Sequence, residues 1–227
     1  MLINHLKLAF RNMKKNLAFS VINIVGFAFG ISICLGIFSY LLHEYSFDSY
    51  HTESDRIYRL IDTQDNSSSI DYRVKDILVD TYPGIEAGAL LQVVNQPVPV
   101  TVDNKGLYIE SMASADDGFF QVFTVPFIQG DAENPLPDLH SVVLTESGAQ
   151  TLFGDENPMG QNVQLRSYNL TVTGVIEDFP DNSSIQARMI LNAENDAFKF
   201  SFAAAKFSDP TTHRWPFRIY LLLHEQA

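Results

Sequence analysis

The sequence predicts an α+β protein: one membrane-length helix near the N-terminus, then a mixed domain of strands and short helices outside the membrane. Three observations predict it. Residues 17–42 contain no Lys, Arg, Asp or Glu. All 27 acids lie from Glu44 onward, whereas residues 1–16 hold four bases and no acid. Beyond Glu44, short β-favouring runs alternate irregularly with helix-spaced segments, the pattern of an α+β domain. The 227 residues suffice for one anchor and one domain with its own core.

At the N-terminus, Ile3, Leu6, Phe10, Met13 and Leu17 recur at three- and four-residue spacing and make one apolar helical face. Lys7, Arg11, Lys14 and Lys15 lie largely off that face. Residues 1–16 therefore read as an amphipathic helix on the inner membrane surface, its bases facing the headgroups. A plain extension of the membrane helix into the cytoplasm is the alternative.

Leu17–Leu42 follows. At about 1.5 Å per residue, a helix of this length exceeds the roughly 30 Å hydrocarbon core and spans it with some tilt. A core helix of a soluble protein rarely runs beyond about 14 apolar residues. A cleaved signal peptide would have an apolar region of about 7–15 residues and then small residues. Here the segment is longer and ends Tyr40-Leu41-Leu42-His43-Glu44, so it is expected to stay attached. The basic flank places residues 1–16 in the cytoplasm and the chain from about residue 43 outside. Gly26 and Gly30 match the four-residue spacing that lets two helices approach closely, and Ser32 and Gly36 extend a small face. These residues suit a contact with other membrane helices; chance is the alternative, since Gly and Ser are common in spans. Cys34, the single cysteine, lies within the span, where it reads as a small apolar filler and excludes an intrachain disulfide.

The polar and aromatic stretch Tyr45–Arg56 leaves the bilayer, with Tyr40 and Tyr45 as interfacial aromatics. Ile57–Ile61 reads as a strand and Gln64–Ser69 as a turn or loop. Val74, Ile77, Leu78 and Tyr82 give Tyr72–Tyr82 helical spacing, which Pro83-Gly84 stops. Ala89–Val94, Val98–Val102 and Leu107–Ala113 are β-favouring runs. Asp116 or Asp117 is a candidate cap for a short helix through Phe123. Val142–Leu144 reads as a strand, followed by a helix Glu146–Phe153 capped by Thr145 and closed by Gly154. Asn162–Leu165 and Leu170–Ile176 form a hairpin about a turn at Arg166–Asn169. Met189–Leu191 and Phe217–Leu223 complete the set.

Beyond residue 43 the chain carries 11 bases against 27 acids, a formal charge of −16. Such a domain is repelled by nucleic acid, which excludes that class of partner. No catalytic constellation is present: no phosphate-binding loop, no nucleophile elbow, no H-E-x-x-H and no C-x-x-C. The sequence therefore assigns no catalytic residue, metal site or cofactor. Asp48, His51, Glu53 and Asp55 form the densest polar cluster, with no second histidine nearby to complete a metal site, and read as a solvated loop. Asp178, Pro180, Asp181, Asn182 and Ser183 read as turn chemistry. The Asp116-Asp117 pair is better explained by helix capping than by acid–base work.

Several segments, in order, resemble the permeases of the MacB/FtsX type. Arg11-Asn12 and Asn16 precede the Gly-rich span, as in those proteins. Phe47-Asp48-Ser49-Tyr50-His51 and Asp55-Arg56-Ile57-Tyr58-Arg59 resemble the membrane-exit sequence of their Bacteroidetes branch. Gly118-Phe119-Phe120, Phe127-Ile128-Gln129-Gly130-Asp131 and Val142-Val143-Leu144-Thr145-Glu146 resemble the core of the MacB-type periplasmic domain. So do Ala149, Leu152-Phe153-Gly154, Pro158-Met159-Gly160 and Thr173-Gly174-Val175-Ile176.

The resemblance implies residues 1–16 as a cytoplasmic segment, 17–42 as a transmembrane helix and 43–227 as a periplasmic core domain, incomplete in this chain. It implies a non-enzymatic permease subunit in the cell inner membrane, which passes ATPase-driven motion to the periplasmic domain for export or envelope maintenance. The implied partners are a separate ABC ATPase, a second permease copy or other membrane helices, and a periplasmic adaptor. Family permeases carry three further membrane helices after this domain, whereas this chain stops at Leu221–Ala227, so a fragment or truncated product is expected. The alternative is a single-pass anchored binding or sensor module, which needs no further helices. An anchored hydrolase is the third reading.

Overall fold

The computed structural model describes residues 2–63, 68, 70–195 and 217–225, with the side chains of residues 2–4, 6 and 8–10 left out. The chain divides into two compact units, Met1–Phe47 and Asp48–Ala227.

The first unit is two helices, α1 (Leu2–Lys15) and α2 (Leu17–Tyr45). Met13 of the expected apolar face is partly exposed, whereas the side chains of Ile3, Leu6 and Phe10 lie outside the described residues. Helix α2 has 29 residues and none is buried. Phe19, Phe27, Phe29 and Leu35 all stand more than half exposed around it. An apolar surface of this size without cover is untenable in water. Among the described residues it is the one helix long and apolar enough to cross a membrane.

Among the described residues the second unit is a mixed sheet of eleven strands with three short α-helices. In chain order the strands are β1 (Ile57–Arg59), β2 (Ile85–Val94), β3 (Val98–Val102), β4 (Lys105–Ile109), β5 (Met112–Ala115), β6 (Phe127–Gly130), β7 (Ser141–Thr145), β8 (Asn162–Leu165), β9 (Tyr168–Ile176), β10 (Met189–Asn192) and β11 (Arg218–Leu223). The helices are α3 (Arg73–Thr81), α4 (Gly118–Val122) and α5 (Glu146–Phe153). The spatial order is β1-β11-β2-β5-β10-β7-β9-β8-β3-β4, and β6 pairs with β9. β5–β10 and β7–β9 are parallel; the other pairs are antiparallel. An α+β architecture with one N-terminal candidate membrane helix is therefore what the sequence specifies.

Each face of the sheet carries a core, because side chains alternate along a strand. On one face Leu90, Val94, Leu144, Leu170 and Ile219 pack under Val74 and Leu78 of α3 and Ala149 and Leu152 of α5. On the other, Ala89, Leu91, Val143 and Ile190 pack under Phe119 and Val122 of α4. Strand β2 is covered on both sides, which is why Ala87–Gln92 is buried without interruption.

Local chemistry sets the boundaries. The Thr145 hydroxyl accepts from the Gly148 N–H at 3.2 Å, capping α5, and Gly154 ends it at φ 61°. Asp103 and Asn104 both take positive φ, as the two-residue β3–β4 hairpin requires.

Four expectations need correction. Leu107–Ala113 is two strands, β4 at the sheet edge and β5 beside β2. β6 was not foreseen. The turn between β8 and β9 is tighter than expected, since Leu165 already faces Tyr168. Asp117 occupies the N-cap of α4 but makes no side-chain cap bond; the carboxylate that draws an α4 N–H, that of Phe119, is Asp116, which also pairs with Lys75. Of the turn expected at Gln64–Ser69, residues 64–67 and 69 lie outside the described residues.

Candidate functional site

The richest long-range polar network lies where the chain enters the sheet domain, at Asp48–Arg56. This stretch is not the solvated loop its composition suggests. His51 is 3% exposed, and its Nδ1 accepts from the Thr124 N–H at 3.2 Å. The ring meets those of Tyr50, centroids 3.9 Å apart, and Phe123, 5.0 Å apart, both tilted to it. The Thr52 N–H donates to the Thr124 hydroxyl at 2.8 Å. Thr124, just beyond α4, thus grips two successive residues of the incoming chain.

Asp48 and Tyr50 bind the second polar loop. The Asp48 N–H donates to the Asn182 carbonyl at 3.0 Å, and its Oδ1 accepts from the Ser184 N–H at 2.8 Å. The Tyr50 and Ser183 hydroxyls lie 3.0 Å apart. Burial pushes the Tyr50 phenol up to about 12, so it is neutral at any physiological pH. Asp48 turns the chain with φ 56°, a conformation an aspartate tolerates better than most residues. The loop is fixed in turn to α5: Asp178 accepts from the Ser147 N–H at 3.1 Å and from Arg188 at 3.2 Å. Burial works to raise the Asp178 carboxyl, but hydrogen bonds from Ser147 and Thr145 and the Arg188 charge hold it below its usual value.

Arg56 closes the other side. It reaches Glu53 at 2.7 Å, Glu86 at 2.9 Å and the Leu223 carbonyl at 2.7 Å. The guanidinium fork suits three acceptors at once. The His224 N–H donates to the Gly84 carbonyl at 3.0 Å. Since β11 pairs antiparallel with β1, the chain enters at Ile57 and leaves at Leu223 side by side. One arginine ties both passages to the start of β2.

A third charged contact braces α3. Lys75 Nζ meets Asp116 at 2.6 Å and Asp76 at 3.0 Å, and Asp116 also accepts from the Leu90 N–H at 2.9 Å. Burial alone would lower the Lys75 ammonium, yet the Asp116 carboxylate holds it above its usual range. Burial raises Asp116 as well, which would favour a neutral acid. The hydrogen bonds it accepts from Lys75 and from the Leu90 and Phe119 N–H groups decide for the charged pair.

Of the residues the sequence singled out, Lys7, Arg11, Lys14 and Lys15 are exposed on α1. Gly26, Gly30 and Gly36 have nothing near where a Cβ would stand. The Ser32 hydroxyl donates to the Ala28 carbonyl at 2.8 Å. At about 100° per residue, Ser32 and Gly36 lie roughly 120° around α2 from Gly26 and Gly30. They therefore form a second small facet rather than extending the first. Asp48, His51, Glu53 and Asp55 do not converge on one point: His51 engages Thr124, Asp48 the 182–184 turn, and Glu53 serves Arg56. Among the described residues no three His, Cys, Asp or Glu side chains converge as metal ligands. Arg56, Tyr50 and Lys75 were missed as functional positions. The signal available was the quoted Phe47–His51 and Asp55–Arg59 segments, which carry Tyr50 and Arg56.

A sheet domain preceded by one helix long and apolar enough to cross a membrane, with its two chain passages pinned together, is the arrangement of a membrane-anchored module. A model of the MacB-like periplasmic core domain matches residues 20–227, and the chain belongs to that family, a component of ABC-transporter permeases. The fold is similar to a domain of a putative permease protein from Porphyromonas gingivalis, at 24% identity and TM-score 0.61, covering 76% of this chain and 77% of that one. It is also similar to the extracellular domain of the noncanonic ABC-type transporter YknZ from Gram-positive bacteria, at 14% identity and TM-score 0.51, covering 74% and 82%. The periplasmic region of MacB from Actinobacillus actinomycetemcomitans matches at 16% identity and TM-score 0.52, covering 75% and 74%. A search of curated protein sequences found no significant match.

Proposed function

We propose that the chain serves as a permease subunit of an ABC transporter of the MacB/FtsX type, in which residues 48–225 receive motion generated by a separate ATPase. In this reading residues 1–16 lie on the cytoplasmic face of the inner membrane, 17–42 span it, and the domain from residue 43 is periplasmic. Gly26, Gly30, Ser32 and Gly36 supply two close-packing facets for a second permease copy or other membrane helices. Lys7, Arg11, Lys14 and Lys15 hold the amphipathic helix to anionic headgroups. A periplasmic adaptor is a further partner. Export or envelope maintenance is the process served.

The observation that supports this reading best is the paired chain passage. A domain that is to be moved needs the chain entering it fixed to its rigid sheet, and Arg56 ties that entry to β2 and to the end of β11. Motion without differential contact transmits nothing; here the contacts lie at the attachment.

The test is co-purification. A tagged chain, co-expressed with an ABC ATPase of the same family from the same genome, is expected to retain that ATPase through detergent extraction. Recovery of the chain without any ATPase would count against the permease reading and for an anchored binding module. The orientation has its own check. In a Cys34→Ala background, Ser167→Cys in the exposed β8–β9 turn is expected to react with an impermeant maleimide on intact spheroplasts. Lys14→Cys is expected to react only after lysis. The opposite pattern would invert the topology.

A further inference from the structure

We propose that Asp48–Thr52 is a releasable clasp whose closed state requires a neutral His51, so that acidification frees this segment from the sheet domain. The proposal rests on the permease reading for its purpose, but its contacts all lie within residues 48–225.

The argument begins with the tautomer. Nδ1 accepts from a backbone N–H, so in the neutral ring the proton sits on Nε2. Nε2 is buried and has no hydrogen-bond partner among the described residues. A second proton would therefore enter at Nδ1, donor against donor with the Thr124 N–H. It would leave a buried cation with neither N–H satisfied. The ring has little room to turn, since it is buried and the rings of Tyr50 and Phe123 stand 3.9 and 5.0 Å from it.

The surroundings offer little to offset that. On its own segment the ring meets the Asp48 carboxylate, which favours the cation, and the Tyr50 phenol, which stays neutral. Phe123 and Thr124 bring no charge, and behind Phe123 lies the ring of Tyr220 on β11. From the 182–184 turn comes the Ser183 hydroxyl, held by Tyr50. Asp48 already accepts from the Ser184 N–H. Burial lowers the His51 pKa, and Asp48 only partly restores it.

The sign follows from proton linkage. The open segment has an ordinary imidazole titrating near 6.5, and the closed one titrates lower. Closure is at full strength above pH 6.5 and weakens as pH falls below it. The weakening ends only below the lowered value of the closed state. Opening returns the Asp48 and Thr52 N–H groups to water and disturbs no strand of the sheet.

The test is hydrogen exchange on the full chain in detergent micelles at pH 7.5 and 5.5, corrected for intrinsic rates. Protection of residues 48–53 and 182–185 is expected to fall by up to about tenfold at the lower pH, while β2 and β7 stay unchanged. His51→Asn keeps an acceptor where Nδ1 stood and cannot titrate, so its protection is expected not to respond to pH. Should that variant be open at both pH values, the titration of His51 itself decides, read by C2–H exchange with exposed His140 as internal reference. A midpoint below 6.5 supports the clasp. Unchanged wild-type protection, a midpoint at or above 6.5, or a wild-type pH response in His51→Asn would overturn it. None of these readouts involves the ATPase, so failure of co-purification and failure of the clasp are separate results.

Discussion

Gly118→Ala is expected to destabilise the sheet domain by about 3 kcal/mol, the upper end of what overpacking a core costs. The Cβ would stand 2.0 Å from the Gly88 carbonyl oxygen and 3.0 Å from its carbon. Both belong to the backbone of β2, so no side chain can rotate away. Helix α4 would have to lift off the strand, drawing fully buried Phe119 and Val122 of the same helix with it. For a domain of this size the loss corresponds to roughly 6–12 °C in Tm, measured by circular dichroism on the detergent-solubilised chain. Gly106→Ala is the control: nothing lies within 4 Å of its Cβ and its φ is not positive. A surface change of that kind stays within about 0.5 kcal/mol. Equal melting of the two variants would refute the close packing of α4 on β2.

Asp116→Ala is expected to cost about 2–3 kcal/mol. Breaking a fully buried ion pair costs roughly 3–5 kcal/mol. The discount reflects partial access to water, since the Lys75 and Asp116 side chains are 17% and 18% exposed. Several groups lose this carboxylate together, the Phe119 N–H of α4 among them. Lys75 keeps only Asp76, itself largely exposed, and the Leu90 N–H loses its side-chain acceptor inside a buried strand. Asp116→Asn retains an acceptor for Leu90 and removes the charge, and is expected to recover part of the loss. The same melting experiment separates the two. An Asp116→Ala chain as stable as wild type would mean that α3 is not braced through this pair.

The elements that could be read from sequence are those with a strong local cause. An uncharged run as long as Leu17–Leu42 has few structural solutions, and the helix extends only to Tyr45. Thr145 and Gly154 mark the ends of α5 by their own backbone preferences. What could not be read depended on distant partners. Leu107–Ala113 is one apolar run, and nothing in it reveals that Ile109 ends an edge strand while Met112 begins a central one. Phe127–Gly130 is short, pairs at a register shift and keeps most of its side chains exposed, so it lacks alternation. The junction was least legible. Aspartate, tyrosine and histidine after a membrane helix suggest water, yet Tyr50 finds Ser183 across 133 residues of chain. His51 is covered by Phe123 and Thr124 only because α4 ends there. The Asp116-Asp117 pair was only half legible: the Asp116 carboxylate does draw the Phe119 N–H of α4, as a local cap would, but its charge partner, Lys75, lies 41 residues away.

The antiparallel pairing of β1 with β11 determines how the domain would bear tension. Ile57 faces Leu222 and Arg59 faces Tyr220, so both chain passages leave from the same end of the ladder. A pull on the two strands from that end peels their hydrogen bonds one after another, rather than loading them all together as a sliding force would. Arg56, holding Leu223 and Glu86 at the fork, is the first link such a pull must break, and every rung behind it is sheltered for as long as that link survives.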